Sequence, residues 1–159
     1  MMGYEHVSGS DVSEKAIKDT QNNLSWFTKN YQLLANSYQL FKGDVRELSK
    51  HLHEVDAVVT EPYLGPALRG EPHEQEVQAT INELTQLYGA AFVEFAKILK
   101  PGGRVVMVFP VFRFSGDEYH VSIIEKIKQL EFTPSSDSPQ RYSRPDQKVM
   151  RDIWVFTRF

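Results

Sequence analysis

The segment Val55-Asp56-Ala57-Val58-Val59-Thr60-Glu61-Pro62-Tyr63-Leu64-Gly65 joins a largely β-branched run to a carboxylate, a proline, an aromatic and a glycine. At the carboxyl end of a buried strand, that combination suits a particular chemical problem. The lone pair on an exocyclic amine of a nucleic-acid base is delocalised into the ring, so the nitrogen is a poor nucleophile. Two acceptors bound to its hydrogens hold it toward tetrahedral geometry and localise the pair. Glu61 supplies one acceptor in this reading. The backbone carbonyl of Pro62 supplies the other, made rigid by the proline's fixed φ. Tyr63 beside them offers a face on which a base can stack. The plainer alternative is a proline-terminated loop carrying a surface glutamate.

Two further carboxylates follow strands. Asp11, in Val7-Ser8-Gly9-Ser10-Asp11-Val12-Ser13, stands where open α/β sheets hold a ribose, whose two hydroxyls a carboxylate can accept. Asp11 is equally suited to start a helix, with Glu14 completing a capping-box-like pair. Asp44, in Lys42-Gly43-Asp44, can accept from the amine of an adenine, and Asp44 with Glu47 repeats the capping spacing. Arg69 and His73 fall in the loop 64–75 directly after the Glu61 turn, a natural place for substrate contact. Between Pro139 and Phe159, Arg141, Arg144, Lys148, Arg151 and Arg158 outnumber Asp146 and Asp152. That excess fits either RNA phosphates or a solvated strand face.

The elements that must position these residues alternate strands with helices, the pattern of a parallel sheet covered by helices. Ala16, Ile17, Leu24, Phe27 and Tyr31 share one face of a helix starting near Asp11. Residues 38–41 form a short strand, and 55–60 read as a central strand buried on both faces. Val77, Ile81, Leu84, Leu87, Tyr88, Ala91, Phe92, Phe95 and Leu99 keep a 3.6-residue period over more than five turns. Lys100-Pro101-Gly102-Gly103 ends that helix, and 104–109 make the next buried strand. Tyr119, Ile123, Ile124, Ile127 and Leu130 predict another amphipathic helix, and the end of the chain alternates as a strand.

The chain has 159 residues, 41% of them hydrophobic and 25% charged, enough for one domain with one core. With no cysteine, disulfides, thiolate metal sites and a cysteine nucleophile are excluded. The five histidines lack metal-ligand spacing, so no metal is expected. No apolar run approaches the roughly 20 residues that cross a bilayer, and no signal peptide is evident. A cytoplasmic protein without membrane contact is expected. The formal charge of −3 exerts no net pull on nucleic acid, so RNA binding needs a local basic patch or another domain.

These motifs together resemble the tRNA guanosine N2-methyltransferases, within the Rossmann-like, S-adenosylmethionine-dependent enzymes that methylate base amines. The resemblance runs from Gly9-Ser10-Asp11-Val12-Ser13 with Asn22-Asn23, through the Glu61 turn and Leu99-Lys100-Pro101-Gly102-Gly103, to Tyr142-Ser143-Arg144-Pro145 and Arg151-Asp152-Ile153-Trp154-Val155-Phe156. It implies an α/β fold, with a mostly parallel sheet, helices on both faces and an antiparallel strand near the C-terminus. It implies S-adenosylmethionine contacts from Asp11, Val12, Asp44, Val45 and Glu61, and catalysis at Glu61, Pro62, Tyr63 and Leu64. Tyr63, Gly65 and Arg69 are then the substrate contacts, with RNA, tRNA first, as the partner; the alternatives are adenine N6 or another amine on DNA or rRNA, and a non-catalytic nucleotide- or RNA-binding module. The family signature is Asp/Asn/Ser-Pro-Pro-aromatic. Here glutamate takes the acidic place, Tyr63 the second proline and Leu64 the aromatic. The family's first strand and glycine-rich cofactor turn have no counterpart upstream of Gly3, nor has its N-terminal RNA-binding domain. The chain is therefore expected to be a single, N-terminally shortened methyltransferase domain that binds the cofactor poorly by itself.

Overall fold

A computed structural model of the chain describes residues 6–31, 37–67, 73–145 and 147–159. Its backbone divides into two compact units, Met1–Leu48 and Ser49–Phe159.

In the first unit, β1 (His6–Asp11), α1 (Glu14–Tyr31) and β2 (Ser37–Lys42) form a βαβ arrangement. The strands pair in parallel with Asp11 beside Lys42, and Gly43 N–H donates to the Asp11 carbonyl at 3.1 Å. The helix forms on the expected residues, but none of it is fully buried. Its aromatic end is exposed, and the Phe27 and Tyr31 rings lie against each other at 4.8 Å.

In the second unit, β3 (Val55–Thr60), α2 (Glu74–Ile98), β4 (Leu99–Phe114), β5 (Asp117–His120), α3 (Ile124–Gln129), β6 (Phe132–Pro134), β7 (Gln140–Tyr142) and β8 (Val149–Arg158) follow one another. The sheet order is β3-β4-β8-β6, with β5 added to β4 and β7 to β8. The core lies between α2 and the central strands. Val77, Leu84, Tyr88, Phe92, Phe95 and Ile98 from the helix are buried together with Val105, Met107, Phe109 and Phe156. Phe92 meets Phe132 and Phe156 edge-on, both at 5.2 Å, and Tyr88 meets Phe109 at 5.3 Å. Each large side chain buried in this way contributes about 1.5–3 kcal/mol, so the 3.6-residue stripe is the main anchor of the unit.

The α/β class agrees with the sequence, while several details differ. The sheet of the second unit is mixed. β1–β2 and β3–β4 pair in parallel, whereas β4–β5, β4–β8, β6–β8 and β7–β8 are antiparallel. For β4–β5 the cause is local, a tight turn in place of a helical crossover. Ser115 and Gly116 both have positive φ, 51° and 88°, and form the two-residue loop that joins β4 directly to β5. Tyr119 therefore lies in a strand and not in the expected helix, which shrinks to six residues. β4 also starts earlier and ends later than 104–109. Leu99 already pairs with Val55, and the Pro101-Gly102-Gly103 stretch bulges out before Arg104 meets Ala57.

β3 is not buried on both faces. Among the described residues it pairs only with β4, and Val59 is 77% exposed. A β-branched run satisfies a one-sided edge strand as readily as a central one, so periodicity alone could not separate them. No helix among the described residues is long and apolar enough to cross a membrane.

Candidate active site

The chain leaves β3 at Thr60 and runs without regular structure through Glu61, Pro62, Tyr63, Leu64 and Gly65. Proline cannot donate to a ladder, which helps end the strand there. Gly65 has φ +97°, and a Cβ at that position would sit 2.8 Å from Thr80 Cγ2 and 3.3 Å from Phe112 Cζ. Only glycine gives this bend and this closeness together. The Tyr63 carbonyl accepts a 2.8 Å hydrogen bond from the hydroxyl of Tyr88. Tyr88 is fully buried on α2, and burial pushes its phenol above the ordinary value, so it remains a neutral donor. The Tyr63 ring is half exposed, while Pro62 and Leu64 are partly covered. Of the two residues at the stacking position in the sequence reading, Tyr63 is the aromatic that solvent reaches. The Pro62 carbonyl has no hydrogen-bond partner among the described residues.

Glu61 Oε1 accepts from Arg151 Nε at 2.9 Å. Arg151 lies in β8, opposite Pro110 of β4 and Tyr142 of β7. Its backbone is thus held from both sides while its side chain spans β4 to reach the end of β3. The pair is partly solvated, with Arg151 35% and Glu61 50% exposed. Such a pair contributes about 0–1 kcal/mol to stability, so its main effect is on where the carboxylate sits.

In the first unit, Asp11 closes β1 and its Oδ1 accepts from Ser13 N–H at 2.7 Å. Ser13, not Asp11, caps the helix: its Oγ accepts from Ala16 N–H at 3.3 Å and its carbonyl from Ile17 N–H. Among the described residues Asp11 Oδ2 is left as an acceptor, and Val12 beside it is exposed. Asp44 follows β2. Its Oδ1 accepts from the backbone and Nε of Arg46, both at 2.9 Å, and its Oδ2 pairs with Nη2 at 2.5 Å. The Arg46 side-chain and backbone hydrogen bonds hold the Asp44 carboxyl down at about 2. Val45 begins a short 3₁₀ segment, Val45–Lys50. Acceptors at adjacent strand ends fit the hydroxyl and amine donors of a nucleoside, although an adenine amine at Asp44 has to share that carboxylate with Arg46.

Arg69 lies outside the described residues. His73 precedes α2, where its backbone N–H donates to Glu76 Oε2 at 3.2 Å. Much of the C-terminal basic excess is engaged within the unit. Arg141 pairs with Asp152 through two bonds (2.7 and 3.0 Å) and with Glu118 at 2.7 Å. Arg158 donates to the Leu99 carbonyl, and Arg144 donates to the Tyr142 hydroxyl at 2.8 Å. The sequence reading missed Arg151 as a partner of Glu61 and Tyr88 as the anchor of the turn. The one available signal was a tyrosine in an otherwise apolar helix stripe, since a buried hydroxyl requires a partner.

The fold is that of S-adenosylmethionine-dependent methyltransferases of known structure. The chain is similar to TrmN from Thermus thermophilus, with TM-score 0.59 and 17% identity over 96% of this chain and 36% of that one. It is also similar to a SAM-dependent methyltransferase from Methanosarcina mazei (TM-score 0.62, 13% identity, 97% of this chain and 82% of that one). NSun6 from Pyrococcus horikoshii, solved with SFG, gives TM-score 0.64 and 14% identity over 96% of this chain and 41% of that one. The chain thus spans about a third of the length of TrmN. No model of a protein family matches the chain, and no curated protein sequence does.

Proposed function

We propose that this chain is the methyl-transferring part of an S-adenosylmethionine-dependent enzyme that modifies an exocyclic amine of a nucleic-acid base. The guanosine N2 amine in tRNA is the substrate to which the motif resemblance points. The observation that carries the reading is the Glu61 turn. Within five residues it holds a carboxylate at a strand end, a Pro62 carbonyl without a hydrogen-bond partner among the described residues and a half-exposed Tyr63 ring.

In this reading the free oxygen of Glu61 and the Pro62 carbonyl accept the two amine hydrogens, and Tyr63 stacks on the base. Leu64 and Gly65 set the path of the loop, and Arg69 contributes a substrate contact. Asp11 with Val12 holds the cofactor ribose, and Asp44 with Val45 holds its adenine. When bound, S-adenosylmethionine supplies an electrophilic methyl group on sulfur. Holding the amine at the right distance and angle then provides much of the acceleration. As an N–C bond formed and the methyl–sulfur bond broke, with its electron pair left on sulfur, the nitrogen would shed a proton to the Glu61 carboxylate or to water.

The same turn suits adenine N6, and nucleoside analysis of the product separates the two. The test is methyl incorporation from radiolabelled S-adenosylmethionine into bulk unmodified tRNA, comparing wild type with Glu61→Ala in the complete protein. Loss of turnover is expected with cofactor affinity nearly kept, because Glu61 is one of several cofactor contacts in this reading. Wild-type turnover in Glu61→Ala sinks the assignment.

A further inference from the structure

Resting on the amine-methylation reading, we infer that Arg151 is a positioning residue for Glu61. It occupies Oε1 and leaves Oε2 as the acceptor for the amine N–H. Three observations lead there.

The first is the side chain itself. Glutamate has one more rotatable bond than the aspartate of the related signature, so its carboxylate samples more positions at the end of a strand. Fixing such a long side chain costs up to about 2 kcal/mol of rotamer freedom. A guanidinium bound to one carboxylate oxygen removes much of that freedom before a substrate arrives, and an arginine fork is itself pre-organised.

The second is where Arg151 stands. It lies in the ladder of β8 with paired strands on both sides, opposite Pro110 and Tyr142. A backbone so fixed gives the guanidinium a defined origin, whereas an arginine on a loop would follow the loop's motion. Glu61 begins the irregular segment after β3, so the less constrained partner is referred to the more constrained one. The opposite end of the same turn is held in a similar way, by Tyr88 on the Tyr63 carbonyl. The acceptor pair of Glu61 and Pro62 therefore lies next to one fixed point and one residue away from another.

The third is that neighbouring arginines are committed elsewhere. Arg141 lies on Asp152 and Glu118, and Arg158 on the Leu99 carbonyl. Among the described residues, Arg151 is the one hydrogen-bond partner of the Glu61 carboxylate. The bond uses Nε and a single oxygen, so the carboxylate keeps its second oxygen for a donor.

The experiment uses the full chain, labelled with nitrogen-15, and bulk unmodified tRNA as the probe. The Arg151 Nε–H signal should exchange with water more slowly than those of exposed arginines, and Glu61→Ala should abolish that protection. Arg151→Met should lower kcat by about 10- to 100-fold, the scale of a misplaced reacting group. KM for tRNA and the cofactor Kd should move much less, and Arg151→Lys should recover part of kcat. A merely structural role would not produce that split or that rescue.

An unprotected Nε–H, or an Arg151→Met chain with wild-type kcat, overturns the positioning role. If Arg151→Met does not fold, Glu61→Asp takes its place. Withdrawing the carboxylate by one methylene should release the Nε–H and lower kcat, and no change in either overturns the inference. The function reading fails separately. Wild-type turnover in Glu61→Ala overturns that reading and the positioning role with it. Loss of turnover in Glu61→Ala with full turnover in Arg151→Met overturns the positioning role alone.

Discussion

The hydroxyl of Tyr88 donates to the backbone carbonyl of Tyr63 at 2.8 Å, tying the long helix of the second unit to the turn that carries Glu61. The bond joins a side chain with no solvent exposure to a loop whose aromatic ring is half exposed. A rigid core element thereby sets the position of a surface turn.

Replacing Tyr88 with Phe keeps the packing against Phe109 and removes only the donor. The Tyr63 carbonyl then loses its partner, which costs about 1–3 kcal/mol if water cannot replace it. Urea denaturation should show that loss. Methyl incorporation should fall with it, because the Pro62 carbonyl precedes the released peptide unit directly.

Gly65→Ala forces a side chain into a left-handed backbone position and against Thr80 Cγ2. A destabilisation of about 1–3 kcal/mol is expected, read as a lower urea midpoint. A midpoint equal to wild type would show that the turn can take another path.

Asp152 is buried on β8 and held by two bonds from Arg141, which is 37% exposed. Arg141→Ala leaves that carboxylate without its main counter-charge. Fully buried pairs lose about 3–5 kcal/mol when broken, and partial solvation of Arg141 reduces the expected loss to about 2–3 kcal/mol. Thermal unfolding of Arg141→Ala measures it. Arg141→Ala paired with Asp152→Asn should lose less than Arg141→Ala alone.

Glu94 on α2 gives the second unit a defined acid limb. Burial alone would raise its pKa, but hydrogen bonds from Lys97 Nζ and from the Ser49 N–H outweigh burial and bring it to about 2. A lowered folded pKa means that the contribution is complete above the unfolded value of 4.5 and is lost as pH falls toward 2. Urea midpoints measured between pH 5 and pH 2 should therefore drop more steeply in wild type than in Glu94→Gln. The difference should amount to about 1–3 kcal/mol, and parallel curves would remove Glu94 as its source.

The sequence by itself determined the elements whose signal is local. The stripe that starts at Val77 became α2 because a 3.6-residue apolar period has few other ways to be buried, although the helix stops at Ile98 and Leu99 opens β4. The strand before Glu61 and the placing of Asp11 and Asp44 at strand ends were legible from equally local signals, a β-branched run and turn-prone residues. Tertiary structure decided what depends on residues far apart in the chain. The pairing of Glu61 with Arg151 spans 90 positions, and no spacing rule links a turn after one strand to the middle of another. The Tyr88 bond to Tyr63 spans 25, and only the buried hydroxyl hinted that a partner existed. β3 read as central and proved to be an edge among the described residues, because a β-branched run records hydrophobicity and not the number of neighbours. Hydrogen-bonding potential is written into every residue, but the partner that satisfies it is chosen by the fold.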